Sequence, residues 1–205
     1  MLKIAFIHTS QSHVDRFDKL LQKLDASVEV IHKVDEELLS IALKNGSLAN
    51  KKFTEICNEL KQETTNIICT CSTYSQLAKE NTIFSIDAPI IKYLAENFNS
   101  IGVAYTAIST LNITTAQLVS KNERLTIIPI NCTDCWGCFE KENFKDYENC
   151  IVATIQSKFQ NAGVVFLAQA SMMGATEYLT DFKIPVYSSP DFGLKYYLEK
   201  FKKHS

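Results

Sequence analysis

Short apolar runs alternate with longer stretches of helical periodicity along the whole chain. Residues 2–7 are apolar except for Lys3 and predict a buried strand. Val14, Phe17, Leu20, Leu21 and Leu24 recur at helical spacing, which predicts a helix over 14–24. A second strand is expected at 28–31, then helices at 36–44 and about 49–61, with Asn45-Gly46 as the stop signal between them. Residues 66–70 read as a strand, 72–79 as a helix and 83–86 as a short strand. Pro89 is then placed to open a helix over 90–97.

The second half repeats this order. A strand is expected at 101–105, a helix at 111–119 and a strand at 125–130, followed by a cysteine-rich loop. A helix over 147–161, a strand over 163–168 and a helix over 172–180 come next. A short strand at 186–187 and Pro190 lead into a closing helix over 194–202. Such alternation implies parallel sheets with helices on both faces. The spacing also matches: Thr9, after the first strand, precedes Cys71 by 62 positions, and Thr106 precedes Gln169 by 63. Each half closes with a proline and a helix carrying Lys-Tyr, at Lys92-Tyr93 and Lys195-Tyr196. The pattern predicts an α/β fold of two pseudo-symmetric lobes, each a parallel sheet flanked by helices, with an active-site cleft between them. The first lobe is expected over 1–98, with the closing segment 188–205 packing back on it, and the second over 99–187.

At 205 residues, 46% apolar and 21% charged, the chain can bury a substantial core. Its 21 basic side chains nearly balance 23 acidic ones, a formal charge of −2. That balance argues against nucleic acid or an anionic membrane as partner, since both select a basic surface. No apolar run approaches the roughly 20 residues of a membrane helix. The opening residues read as a strand without a small-residue cleavage site, so a cytoplasmic location is expected rather than a signal peptide. Seven cysteines, an odd number, suit packing, metal binding or reactive thiols better than a disulfide framework. Oligomeric state is not legible, a homodimer being the commonest default.

In open parallel sheets the loops after the strands' carboxyl ends line the ligand crevice. That rule nominates His8-Thr9-Ser10, Cys71-Ser72-Thr73, Thr106 to Thr110 and Gln169-Ala170-Ser171. Cys71 directly precedes a helix, where free N–H groups and the helix dipole favour an anion. A thiol there is expected to titrate below the free value of about 8.5 and to act as a thiolate. Ser72 and Thr73 add hydroxyl donors suited to a substrate carboxylate, or simply cap the helix. Cys69 shares the facing of Cys71 but lies deeper and reads as core.

These residues resemble a known family. Ile68-Cys69-Thr70-Cys71-Ser72-Thr73, then Ile86-Asp87-Ala88-Pro89, then the run from Gly102 to Leu111 are similar to the aspartate/glutamate/hydantoin racemase superfamily. The resemblance extends from His8-Thr9-Ser10 to the segment around Gln169 and Met172, most of the chain. It implies a cofactor-independent enzyme on a small-molecule carboxylate, with cysteines on the two faces of the substrate's α-carbon. Cys71 stands at the first-lobe catalytic cysteine. Ser72 and Thr73 stand at carboxylate donors, Thr9 and Ser10 at the strand-end polar pair, and Thr106 and Ser109 at the second lobe's hydroxyls. The second cysteine's motif is replaced by Gln169-Ala170-Ser171, and an amide cannot carry the second proton. Three readings stay open. Cys71 works alone, as in relatives that decarboxylate malonates or isomerise a double bond; another group such as His8 completes a racemase; or the chain binds a small carboxylate without catalysis.

Cys132-x-x-Cys135-x-x-Cys138, with Cys150 further on, has zinc or iron–sulfur spacing. No nearby histidine completes a tetrahedral set, and Cys150 falls on an amphipathic helix, so no metal is expected. These thiols are expected to pack or to border the cleft, where Trp136 could close over substrate. His8 reads as a structural strand-end histidine, and His13 and His32 as surface residues or helix-end partners. Asp87 reads as a cap or hinge anchor before Pro89. No phosphate loop or dinucleotide fingerprint is present, so no cofactor is expected.

Overall fold

The computed structural model describes residues 1–45 and 47–203. Its contacts divide the chain into two units, Met1–Pro89 with the chain from Pro190 onward, and Ile90–Ser189. Gly46 of the expected stop signal and His204 lie outside the described residues.

In the first unit, β1 (Lys3–His8) is flanked by β2 (Glu29–Val34) and β3 (Ile67–Cys69). β4 (Phe84–Ser85) completes an all-parallel sheet in the order β2-β1-β3-β4. The second unit builds β5 (Ser100–Tyr105), β6 (Thr126–Asn131), β7 (Val164–Leu167) and β8 (Val186–Ser188) into a parallel sheet ordered β6-β5-β7-β8. The two orders are one arrangement written twice. The fold is therefore the pair of pseudo-symmetric α/β lobes that the sequence predicts.

The helices follow from the apolar periodicity. In the first lobe these are α1 (Ser12–Leu24), α2 (Glu36–Asn45), α3 (Asn50–Leu60), and a 3-10 turn, Ser72–Tyr74, running into α4 (Ser75–Glu80). α5 (Ala88–Asn97) lies almost wholly in the second unit, while α9 (Ser189–Lys202) lies almost wholly in the first. The second lobe also holds α6 (Ile108–Lys121), α7 (Trp136–Glu140) and α8 (Phe144–Lys158). No helix among the described residues is long and apolar enough to cross a membrane.

Strand alternation sorts the first lobe's core onto two faces. Ala5, Ile7, Cys69 and Cys71 pack with Leu38 and Ala42 of α2, Phe53 and Ile56 of α3, and Tyr74 and Leu77. Phe6 and His8 turn to the other face, where the Phe17 ring of α1 lies 5.2 Å from Phe6. α9 seals β4: the Tyr197 hydroxyl donates to the Ser85 carbonyl at 2.9 Å, and Tyr197 and Phe201 pack on Phe84. Gly193 permits that approach, because a Cβ there would strike the Ile86 carbonyl oxygen. In the second lobe, Ala104, Val165 and Leu167 pack with Tyr147, Ile151 and Ile155 of α8.

Two segments differ from expectation. Where a helix is expected over 172–180, the chain winds as a 3-10 helix two residues earlier, Ala170–Tyr178. Gly174 there passes so close to α8 that a side chain would meet the Glu148 carboxylate. The cysteine-rich stretch is not a loop but a 3-10 turn, Thr133–Cys135, leading into α7 and then α8. α8 packs against both, and Cys135 and Cys150, 15 residues apart, close a disulfide with Cα atoms 5.6 Å apart. This corrects the expectation of cysteines outside disulfides. Spacing along the chain did not reveal that the turn folds onto α8.

Candidate functional site

The first lobe's candidate site forms where β3 ends. Cys71 takes an extended conformation (φ −93°, ψ 115°), and the chain then turns at once into the 3-10 helix Ser72–Tyr74. The Thr73 N–H and the Thr9 hydroxyl, from the end of β1, consequently face the Cys71 sulfur, while the Tyr74 N–H donates to the Cys71 carbonyl at 3.0 Å and lies close enough to favour the thiolate as well. These donors favour the thiolate, as a helix start should. Burial outweighs them: Cys71 is 7% exposed and belongs to the apolar cluster under α2 and α3, which pushes its thiol above the ordinary range. The Asp87 carboxylate adds to the upward push. The expected lowered thiol is thus corrected. The anion-stabilising groups are present, but desolvation dominates, and the resting group is S–H.

Asp87 is buried, and its Oδ2 accepts from the Ser75 hydroxyl at 2.9 Å; the Ser85 hydroxyl donates to Ser75 at 3.0 Å. Sequence reading took Asp87 for a cap or a hinge anchor and passed over Ser75. Its link to Asp87 joins residues 12 apart across β4, which no local spacing reveals. Cys69 lies in the core, its thiol directed at the Cys71 carbonyl at 3.7 Å. Ser72 is buried with its hydroxyl unpaired among the described residues. Ser10 is turned aside, its hydroxyl 2.9 Å from that of Ser12.

On the other face of this sheet three histidines cluster. His8 Nδ1 lies 2.8 Å from the Thr70 hydroxyl and its Nε2 lies 2.8 Å from His32 Nδ1. His32 Nε2 in turn lies 2.9 Å from Asp18 Oδ1. The Thr70 hydroxyl also donates to the Ile7 carbonyl at 3.1 Å. Burial, with the His13 and His32 rings alongside, brings His8 down to about 2. With both nitrogens engaged, His8 has none left for a substrate.

His13 is 6% exposed, not a surface residue, and His32 is half-buried. The reason is legible after the fact: position 13 extends the buried stripe of Phe17, Leu20 and Leu21 by one turn. Burial, with the Arg16 charge near it, brings His13 down to about 4.

In the second lobe, Gln169 follows β7 as Cys71 follows β3. Its Oε1 accepts from the Thr106 N–H at 2.6 Å and from the Thr106 hydroxyl at 2.9 Å. The amide orientation is thereby fixed, so only the NH₂ is left to donate. The Tyr147 hydroxyl lies 3.4 Å from that of Thr106 and 3.0 Å from that of Ser171, bridging the two strand ends. Sequence reading missed Tyr147, although its place on the apolar face of α8 was recoverable. Ala170 is buried, and the Ser109 hydroxyl has no partner among the described residues. The Cys135–Cys150 disulfide removes two of the four sulfurs that had metal-ligand spacing, and burial pushes the Cys132 thiol up to about 11. Trp136 stacks on Phe139, ring centres 4.8 Å apart, and so packs against this lobe's core.

No family model and no curated protein sequence matches the chain. Solved structures match over nearly all of it. A glutamate racemase from Francisella tularensis in complex with D-glutamate superposes with a TM-score of 0.78 at 14% identity, covering 99% of this chain and 81% of that one. The aspartate racemase of Picrophilus torridus gives 0.77 at 13% identity, over 98% and 94%. A variant of arylmalonate decarboxylase, with a glycine changed to cysteine, gives 0.64 at 12% identity, over 99% and 94%.

Proposed function

We propose, from a chain that has the fold of the aspartate/glutamate/hydantoin racemase superfamily, that this protein is a cofactor-independent enzyme on a small carboxylate, with the Cys71 thiol transferring a proton at the substrate's α-carbon. The observation that carries this reading is the setting of Cys71: a thiol just past the carboxyl end of β3, with the Thr9 hydroxyl and the backbone N–H groups of the following turn gathered about it. Those donors steady the thiolate left behind when the proton departs.

Two features favour one-thiol chemistry over a symmetric racemase. Burial keeps Cys71 as S–H, the form that donates. Gln169, the matching group of the second lobe, is an amide with its oxygen held by Thr106 and has no proton to exchange at carbon. In a decarboxylation of a malonate-like diacid, the C–C bond to one carboxyl breaks and carbon dioxide leaves. Its electron pair stays as an enediolate, Cys71 gives its proton to that carbon, and water reprotonates the sulfur. An isomerisation would use the same thiol to add and remove one proton.

Incubation with malonates, aspartate and glutamate in deuterated water tests the reading. Deuterium should enter the α-carbon in a single configuration, and Cys71→Ala should slow its entry about a thousandfold. Label spread equally over both configurations would refute the one-thiol mechanism. Unlabelled, unconverted substrate throughout would refute the enzyme reading.

A further inference from the structure

We propose that His13 contacts the substrate, its ring hydrogen-bonding one oxygen of the small carboxylate. This deepens the reading of the Cys71 edge as a ligand site and rests on it. Both ring nitrogens of His13 are buried and without a hydrogen-bond partner among the described residues. Protein interiors seldom leave a donor and an acceptor unpaired together. As pure packing against His8, an apolar ring would fill the same space without the desolvation cost.

Within the histidine cluster the choice is narrow. His8 is engaged by Thr70 and His32, and His32 by His8 and Asp18. His13 alone of the three retains an uncommitted N–H and an uncommitted nitrogen. Its position suits the role. It sits in the first turn of α1, its backbone N–H bonded to the Ser10 carbonyl at 3.2 Å. Its ring stands edge-on to His8, the last residue of β1, with centres 6.1 Å apart. The next residue along, Thr9, is the one whose hydroxyl reaches the Cys71 sulfur. Ser72, immediately after Cys71, holds a second buried hydroxyl without a partner among the described residues. Two unpaired polar groups therefore occur on the segments leaving β1 and β3, adjacent strands of one sheet. An imidazole N–H and a serine hydroxyl are donors that a carboxylate accepts from.

The experiment titrates malonate, D- and L-aspartate, and D- and L-glutamate into the wild-type, His13→Phe and His13→Asn chains. Calorimetry gives affinity, thermal melts give stability, and the ¹³Cβ signal of Cys71 reports on the site. We expect at least one ligand to bind and move the Cys71 signal. His13→Phe should melt higher than wild type, because an unpaired polar ring leaves the core, yet bind that ligand tenfold or more weaker. His13→Asn should keep part of the affinity. Wild-type affinity in His13→Phe would overturn the proposal and leave the Cys71 reading standing. If none of the ligands moves the Cys71 signal, the ligand-site reading falls and His13 with it. Should the Phe variant not fold, ¹⁵N shifts of the wild-type His13 ring decide: a ligand that moves Cys71 but not those nitrogens overturns the proposal.

Discussion

After β3 the chain turns at Cys71, and after β7 it turns at Gln169, at the same place in sheets of the same strand order. Around Cys71 the neighbours are donors aimed at a sulfur that can lose a proton. Around Gln169 the neighbours lock an amide in one orientation. The lobes differ beneath their strand ends as well. The described histidines, His8, His13 and His32, all fall in the first unit, and the disulfide lies in the second. A repeated backbone thus carries two different chemistries and two different weaknesses. Topology constrains where reactive groups can sit, while the side chains decide what happens there.

The comparison can be broken most sharply at the strand ends themselves. Cys71→Ala should lower α-carbon proton exchange by about a thousandfold, whereas Gln169→Ala should leave exchange measurable; equal losses in deuterium-uptake assays would contradict the asymmetry. Acid comes next. His8 and His13 are held far below the ordinary histidine value, mainly by burial, so below pH 6.5 the unfolded chain takes up protons that the folded one refuses. Stability is complete above that pH and falls as pH drops toward 4. Between pH 7 and pH 5 each histidine should cost about 2 kcal/mol, roughly 4 in all. Urea melts followed by amide exchange should show the loss in the first lobe.

Reducing the Cys135–Cys150 link, a separation of 15 residues, should destabilise the second lobe by about 3 kcal/mol. Melts with and without dithiothreitol, with amide exchange read for each lobe, measure it; an equal response in both lobes would contradict the contrast. The smallest contrast is between two buried tyrosines. Tyr74→Phe leaves the Leu38 carbonyl and the Ala49 N–H without their partner and should cost about 2 kcal/mol. Tyr147→Phe removes a link between hydroxyls and should cost about 1 kcal/mol. Denaturant midpoints of the two variants test the order.

Much of this was legible from the sequence because apolar periodicity reports burial directly. The strand-helix alternation, the duplicated order and the strand-end candidates Thr9, Cys71, Thr106 and Gln169 all came from local pattern. What escaped depended on contacts distant along the chain. The raised Cys71 thiol reflects α2 and α3 closing over it, which no spacing around residue 71 encodes. The burial of His13 was hidden by beginning the stripe at Val14, one residue late. Cys135 and Cys150 meet only because the turn before α7 packs on α8. Tyr147 was recognisable as a core position, but not as a hydroxyl shared between Thr106 and Ser171.

The placement of α9 bears on how the molecule is made. Its first lobe is assembled from segments on either side of the second, since the helix that covers Phe84 and holds the Ser85 carbonyl follows the second lobe in the chain. On a ribosome the second lobe has all of its segments in hand before the first one does. The half that carries the thiol must wait, with one flank of its sheet uncovered, until the second lobe has been made and α9 follows it.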